Sequence, residues 1–318
     1  MDTNSKKVAL FLIATKGRQT TFRIIDNLMN LSGLDLFLIS HNAIDIKNLI
    51  KEINNRTGKK IHYLEASGNS VCQKRNLALL ISIANKYDYS ILSDDDIIFE
   101  NISDLEKLIK LLETLPKECA VLSPILEFEE SRSYGGLLYR NGTFMNLKNQ
   151  PRSSIWYSLC PSAAFVAIRA SFAKRMFEIG LSPFEELFVM QSEDVDFAVK
   201  TWLLGYKIAC TKLIKVRHLG VRHHHQQWRV YLMYRNRLLL LMLNFSLRSI
   251  VYALPFRILN DVFHCVILLR ARYFFTLIKA YLWPLTNLKI VLTLRKKRRK
   301  YYKGSEKQLF SQLPLPLH

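Results

Sequence analysis

Three groups of polar side chains in this 318-residue chain are of types that suit chemistry. Asp94, Asp95 and Asp96 follow one another at the end of a short apolar run. Adjacent carboxylates repel, and a divalent cation removes that penalty, because hard ions such as Mg²⁺ take carboxylate and phosphate oxygens together. A solvated acidic turn is the competing reading of the stretch alone. The second group, Gln191-Ser-Glu-Asp-Val-Asp-Phe197, places Glu193, Asp194 and Asp196 at a helix start. The helix dipole favours carboxylates there, and Ser192 can cap it. The third is His218, which closes a strand in Val-Arg-His-Leu-Gly. Taken singly, each has an ordinary structural explanation.

The elements that must position them follow from hydrophobic periodicity. Residues 8–14, 34–40, 60–64 and 89–92 read as buried strands, alternating with amphipathic helices that carry Ile25 and Leu28, then Ile46 and Ile50, then Cys72 and Leu79. Such alternation predicts βαβ units and a mostly parallel sheet, with ligands outside the carboxyl ends of its strands. Thr15, His41 and the acid cluster all stand at such ends, so a crevice is expected there. Gly135-Gly136 and Asn141-Gly142 mark residues 127–150 as a loop or hairpin over the site. A strand at 163–168, helices at 172–179 and 193–204, and a last strand at 207–216 complete the pattern.

Charge divides the chain. Residues 221–318 carry 18 Lys and Arg against only Asp261 and Glu306, most of the formal charge of +20. We read a domain at 1–222 and a basic helical region at 223–318. Arg and Lys interrupt every apolar window of that region, so helices lying in a membrane interface fit better than a span, with Tyr273, Tyr281 and Trp283 at headgroup depth. The block Arg295-Lys-Lys-Arg-Arg-Lys300 suits an anionic membrane surface, at about 1 kcal/mol per charge. Nucleic acid is not an expected partner. Consecutive Arg222-His223-His224-His225 cannot easily converge on one ion and reads as a polar loop. The 5 cysteines are scattered without a C-x-x-C pair, which suits a reducing cytosol. The N-terminus lacks the pattern of a cleaved signal, so a cytoplasmic protein at the inner face of the membrane is expected. No Gly-x-x-x-x-Gly-Lys-Ser/Thr or Gly-x-Gly-x-x-Gly occurs, which argues against kinases and dinucleotide enzymes.

The order of the three groups is more specific than any one of them. A strand ending in Asp-x-Asp, then Glu-Asp-x-Asp-Phe opening a helix that ends Gly-Tyr-Lys-Ile, then a strand ending in His resembles a family-2 glycosyltransferase. Thr15-x-x-Arg18, Lys74-Arg75-Asn76, Ala163-Phe-Val-Ala-Ile-Arg169 and Tyr234-Arg-Asn236 extend the match over roughly residues 7–240. The likeness is to the bacterial rhamnosyltransferase-like branch. It implies a GT-A fold, a UDP- or dTDP-sugar donor, Mn²⁺ or Mg²⁺, and inversion at the anomeric carbon during transfer to a glycan hydroxyl. By that resemblance Asp94, Asp96 and His218 are the expected metal ligands and Asp194 the general base. Thr15, Arg18, Arg75 and Asp95 are the expected donor contacts, and Glu193 and Asp196 orient the acceptor. An Asp usual after the second strand is replaced by His41, with Asp45 nearby. The basic tail suggests a lipid-linked acceptor, as in lipopolysaccharide or capsule synthesis. A sugar nucleotidyltransferase is the rival enzyme, but it needs a Gly-rich first loop, and Thr15-Lys-Gly-Arg18 has one Gly. A non-enzymatic basic membrane- or nucleic-acid-binding protein is the other rival.

Overall fold

The computed structural model describes residues 6–14, 21, 24, 25, 28, 34–57, 60–99, 101, 103–129, 131–140, 142–147, 149–159, 162–220, 226–268 and 273–310. The strands are β1 (Val8–Ile13), β2 (Asp35–Ser40), β3 (Ile61–Glu65), β4 (Tyr89–Asp94), β5 (Ile97–Phe99), β6 (Cys119–Glu127), β7 (Arg132–Ser133), β8 (Gly136–Leu138), β9 (Phe144–Asn146), β10 (Ile155–Tyr157), β11 (Phe165–Arg169) and β12 (Lys207–His218). The helices are α1 (Ile44–Thr57), α2 (Val71–Ala84), α3 (Ser103–Thr114), α4 (Ala170–Glu178), α5 (Glu193–Leu203), α6 (Gln227–Asn244), α7 (Leu247–Phe263), α8 (Phe274–Thr286), α9 (Leu288–Arg299) and α10 (Glu306–Phe310).

The main sheet runs β10-β12-β6-β11-β4-β1-β2-β3. Strands β3, β2, β1 and β4 are parallel, and β11 runs antiparallel between β4 and β6. This is the expected α/β architecture. Alternation along the strands gives the sheet two apolar faces. Phe11, Ile13, Phe37 and Ile39 face a layer that includes Cys72 and Leu79 of α2 and Phe172 and Met176 of α4. Leu10, Leu12, Leu36 and Leu38 face the opposite layer, with Ile46 of α1 and Leu105 and Leu108 of α3.

Register then sets the site. Ile13 pairs with Asp94, so the ends of β1 and β4 are level. The short β5 turns back from the acid cluster to pair antiparallel with β12, with Ile97 opposite His218. The backbone N–H of Leu219 donates to the Asp96 carbonyl at 2.8 Å, which closes that corner.

The C-terminal helices share the core of the sheet domain. Leu239, Leu240, Leu243 and Phe245 pack in one cluster with Phe197 and Leu203 of α5. Residue 222, the expected boundary, lies outside the described residues. Within the basic block, Arg298 is 1% exposed. It reaches Asp196 through Nη1 at 2.6 Å and Glu185 through Nη2 at 3.0 Å. Lys200 Nζ completes the ion pair with Asp196 at 3.0 Å. Arg295 donates to the Met242 carbonyl and Arg299 meets Glu306, so these three Arg bind protein groups while Lys296, Lys297 and Lys300 stay exposed.

Burial alone would raise the Asp196 pKa, but Arg298 and Lys200 hold it below the ordinary carboxylate value. Its contribution to stability is therefore present above the unfolded pKa and lost as pH falls through the folded one. Asp196→Asn would leave two cations buried together. It is expected to cost about 3–5 kcal/mol of stability, read from the urea midpoint.

Among the described residues no helix is long and apolar enough to cross a membrane. Tyr273 is buried, so the headgroup-depth role expected of it does not hold, while the half-buried Tyr281 gives its hydroxyl to Asp261. Exposed apolar surface is supplied instead by Val251, Tyr252, Phe256, Leu259 and Phe275.

Candidate active site

The strand ends open into a cleft of about 660 Å³. It is lined by Asp94, Asp96, Glu193, Asp194 and His218, and also by Trp228, Arg229 and Arg237. One ligand atom from each of Asp94, Asp96 and His218 can be chosen so that all lie within 4.8 Å of one another. Two carboxylate oxygens and an imidazole nitrogen form a donor set that suits Mn²⁺. The His218 ring meets Asp96 through Nε2 at 3.5 Å, while its Nδ1 accepts from the Gly220 N–H at 2.9 Å. The neutral ring so bonded carries its proton on Nε2. Ligation through Nε2 requires that proton to leave or shift to Nδ1, which would break the Gly220 contact.

Arg75 joins the two acidic centres. Its Nη2 donates to Asp94 at 2.9 Å and its Nη1 to Glu193 at 3.0 Å. The side chain is 3% exposed and lies over the Phe184 ring. Both terminal nitrogens are thus engaged by carboxylates, so Arg75, expected as a donor contact, bridges the two acidic centres at the cleft. Its motif neighbours are staples as well. Lys74 donates to the Ala14 carbonyl at the end of β1, and Asn76 makes a paired bond with the backbone of Phe184.

The turn before α5 is strained. Val189, Gln191 and Ser192 all have φ between 62° and 64°. Val189 occupies the rare hand of a γ-turn, at φ 62°, ψ −64°, with Met190 N–H bonded to the Phe188 carbonyl. Such residues cost about 1–3 kcal/mol each and persist only where neighbours hold them. Asn236 does so, donating to the carbonyls of Phe188, Met190 and Gln191. Arg235 braces Asn236 and also donates to the Leu187 carbonyl. Ser70, placed to cap α2, instead donates its hydroxyl to the Val189 carbonyl. These bonds present Glu193 and Asp194 to the cleft. Removing three acceptor contacts by Asn236→Ala is expected to cost about 2–3 kcal/mol of stability, seen in the melting temperature.

Burial pushes the Asp94 carboxyl up to about 6; Arg75 opposes that shift and Asp96 adds to it. Burial raises Glu193 to about 7, with Asp194 adding and Arg75 opposing. Asp194 is also raised by burial, against the pull of Arg75. Raised carboxyls make the metal-free fold lose stability as pH rises through these values. Protons also compete with a cation for Asp94. The rise in melting temperature produced by Mn²⁺ is therefore expected to be small at pH 5 and to grow through pH 6–7.5, measured by thermal shift across a buffer series.

Two expected site residues do not reach the cleft. Asp196 is fully buried and bound to Arg298, Lys200 and Asn244, because its turn of α5 faces the C-terminal helices. Its expected acceptor-orienting role is replaced by a structural one. Asp95 is 2% exposed and accepts from the Thr21 hydroxyl at 3.0 Å, which turns it from the donor contact expected of it. Thr15 and Arg18 lie outside the described residues. His41 has both ring nitrogens bonded, to the Ala66 carbonyl and to Asn42, and so fixes the ends of β2 and β3. The cleft also contains Arg229 and Arg237, which sequence reasoning left out; their signal was the cluster of Arg beside Tyr234-Arg-Asn236.

No protein-family model and no curated protein matches the sequence. Solved structures do match by shape. GalNAc-T7 with UDP, GalNAc and Mn²⁺ superposes at a TM-score of 0.69, with 12% identity, over 98% of this chain and 57% of that one. The chain thus spans little more than half the length of GalNAc-T7. A mannosyltransferase from Pyrobaculum calidifontis with GDP-Man and Mn²⁺ gives 0.51, with 12% identity, over 94% and 86% of the two chains. Residues 1–349 of S. aureus TarS give 0.52, with 14% identity, over 93% and 91%. The fold is that of the GT-A glycosyltransferases. Within the GT-A fold, Asp94, Asp96, Glu193, Asp194 and His218 meet at the C-terminal edge of the sheet, where such folds place their ligands.

Proposed function

We propose that the protein is an inverting, metal-dependent glycosyltransferase that moves a sugar from a nucleoside-diphosphate sugar to a glycan hydroxyl. One observation carries the reading: the possible Asp94, Asp96 and His218 metal site opens into the same cleft as Glu193 and Asp194, with Arg75 bridging the two acidic centres. The complexes of GalNAc-T7 with UDP and Mn²⁺ and of the mannosyltransferase with GDP-Man and Mn²⁺ support the donor and cofactor class.

Asp94, Asp96 and His218 would hold a divalent cation, Mn²⁺ or Mg²⁺, that offsets the charge developing on the departing diphosphate. Asp194 takes the proton of the acceptor hydroxyl as its oxygen bonds to the anomeric carbon and the bond to the diphosphate breaks. Burial raises the Asp194 pKa and so makes it a stronger base than a solvated carboxylate. Val195 N–H donates to Asp194 Oδ1 at 2.8 Å, which fixes the carboxylate at the cleft. Arg75 keeps Asp94 and Glu193 in register with one another. A single displacement with one base inverts the anomeric centre without a covalent intermediate.

We further propose that the acceptor is membrane-proximal and that the protein works at an anionic membrane surface on the cytoplasmic side. Exposed Phe256, Leu259 and Phe275, together with exposed Lys296, Lys297 and Lys300, support that placement. The test is a panel of nucleotide sugars with Mn²⁺, followed by NMR of the product's anomeric configuration. Turnover of one donor with inversion is expected. Retained configuration would overturn the mechanism, and no turnover of any donor would overturn the activity.

A further inference from the structure

Glu193 and Asp194 open α5 directly after the strained turn that begins at Glu185 and ends at Ser192. Arg298 of α9 grips both sides of that turn. Its Nη2 meets Glu185 Oε2 at 3.0 Å before the turn and Asp196 Oδ2 at 3.2 Å after it, while Nη1 meets Asp196 Oδ1 at 2.6 Å. One planar fork thus closes the base of the segment that presents the proposed general base. Asn244 of α6 joins the same cluster, donating to Asp196 at 2.8 Å and accepting from Arg298 at 3.0 Å.

The C-terminal segment also holds the other end of α5. The backbone N–H groups of Lys303 and Gly304 donate to the Leu203 carbonyl at 2.7 and 2.8 Å. Gly304 permits that approach, since a Cβ there would lie 2.6 Å from the Trp202 carbonyl oxygen. Helix α5 is therefore fastened at its first turn and at its last by residues from 298 to 304.

Charge balance alone does not call for Arg298. Lys200, one turn along α5, already pairs with Asp196 at 3.0 Å. Arg298 adds a second buried cation, and Glu185, whose side chain is 15% exposed, supplies the second carboxylate. Burying a further ion pair carries a desolvation cost that a well-packed apolar pair would avoid. What the pair adds is a fixed distance between Glu185 and Asp196, the two ends of the segment.

We infer that Arg298 is a positioning residue for catalysis, setting the place of Asp194 in the cleft through Asp196 and Glu185. This rests on the glycosyltransferase reading and gives a block that reads as a surface anchor a part in building the site. Asp194 and Asp196 share one helical turn, so a displaced Asp196 carries the start of α5 with it. A shift of about 1 Å at a reacting group can cost about 10²-fold in rate.

The experiment is steady-state transfer by the full-length Arg298→Lys and Glu185→Ala proteins, normalised to active sites counted by calorimetric nucleoside-diphosphate binding with Mn²⁺. Lys keeps a charge beside Asp196 but lacks the fork that spans to Glu185. Glu185→Ala removes the other arm at a partly exposed residue and leaves the pairs of Asp196 in place, so this variant should fold. In both, kcat per site is expected to fall about tenfold to 10²-fold, with donor KM and the Mn²⁺ midpoint near wild type. Nitrogen-15 NMR with valine labelling reads the position directly, because the Val195 N–H is bonded to Asp194. The Val195 signal should move in both variants while those of Val8 in β1 and Val121 in β6 stay. A role in stability alone predicts fewer binding sites, unchanged kcat per site and an unmoved Val195 signal, and that result overturns the inference. A loss confined to donor KM also overturns it, because it would place Arg298 in donor binding. The two failures stay separate. No turnover by the wild type overturns the transferase reading, whereas wild-type turnover with kcat per site and Val195 unchanged in both variants overturns this inference alone.

Discussion

Asp194→Asn is expected to lower transfer about 10³-fold, within the range a lost general base removes. Asn keeps the shape and the oxygen that accepts from Val195 N–H, so the start of α5 should survive. Donor KM and the Mn²⁺ midpoint should stay near wild type, because the proposed metal ligands Asp94, Asp96 and His218 do not include this residue. The loss then falls on kcat, as for an interaction made only in the transition state. The rate of the wild type should fall on the acid side as the raised Asp194 protonates, and that acid limb should lie above the usual Asp range. Glu193 is the rival base, buried beside it and raised to about 7. Its Oε1 is held by Arg75 and its Oε2 has no partner among the described residues. Glu193→Gln should lose less activity and should disturb Arg75 instead. A silent Asp194→Asn with an inactive Glu193→Gln would exchange the two roles.

Asp96→Ala should abolish Mn²⁺-dependent turnover, a loss of about 10³-fold or more if the cation supplies several kcal/mol of charge stabilisation. Unlike Asp94, Asp96 pairs with no guanidinium among the described residues, and it meets His218 instead. Removing it should also relieve Asp94, whose raised pKa is partly due to Asp96. In the metal-free protein, Asp96→Ala should therefore lower the pKa of Asp94 and reduce the loss of stability between about pH 4 and 6. Carbon-13 NMR of the Asp carboxyls reads that shift. Metal-independent turnover at the wild-type rate in Asp96→Ala would contradict the assigned role.

The meeting of Asp94, Asp96 and His218 was legible because they stand at strand ends, and parallel strands bring their ends to one edge. What put His218 beside Asp96 was less visible. Ile97, Ile98 and Phe99 look like resumed core, but they form a short strand that pairs back with β12. The long buried β6 contains Pro124, which sequence rules exclude from central strands. The register shift between Thr211 and Lys215 of its neighbour β12 falls beside that proline. Asp194 and Asp196 have the same local signature, a carboxylate in the first turn of a helix. They part through the partners of Asp196: Lys200, Asn244 and above all Arg298, which lies 102 residues beyond it in the chain and inside what reads as a basic surface block. Arg75 likewise signalled donor binding by its motif, and its bridge between Asp94 and Glu193 depends on a contact across 118 residues. Local pattern identified the charged groups; tertiary partners decided which of them remain available for chemistry.

The most direct measurement is calorimetric binding of UDP, dTDP and GDP to the full chain, with and without Mn²⁺, in the wild type and in Asp96→Ala. Binding of one nucleoside diphosphate that requires Mn²⁺ and disappears in Asp96→Ala is the expected result. Absence of binding by all three with Mn²⁺ present, or binding equally strong without the metal and in Asp96→Ala, would contradict the metal-held diphosphate at the centre of the mechanism.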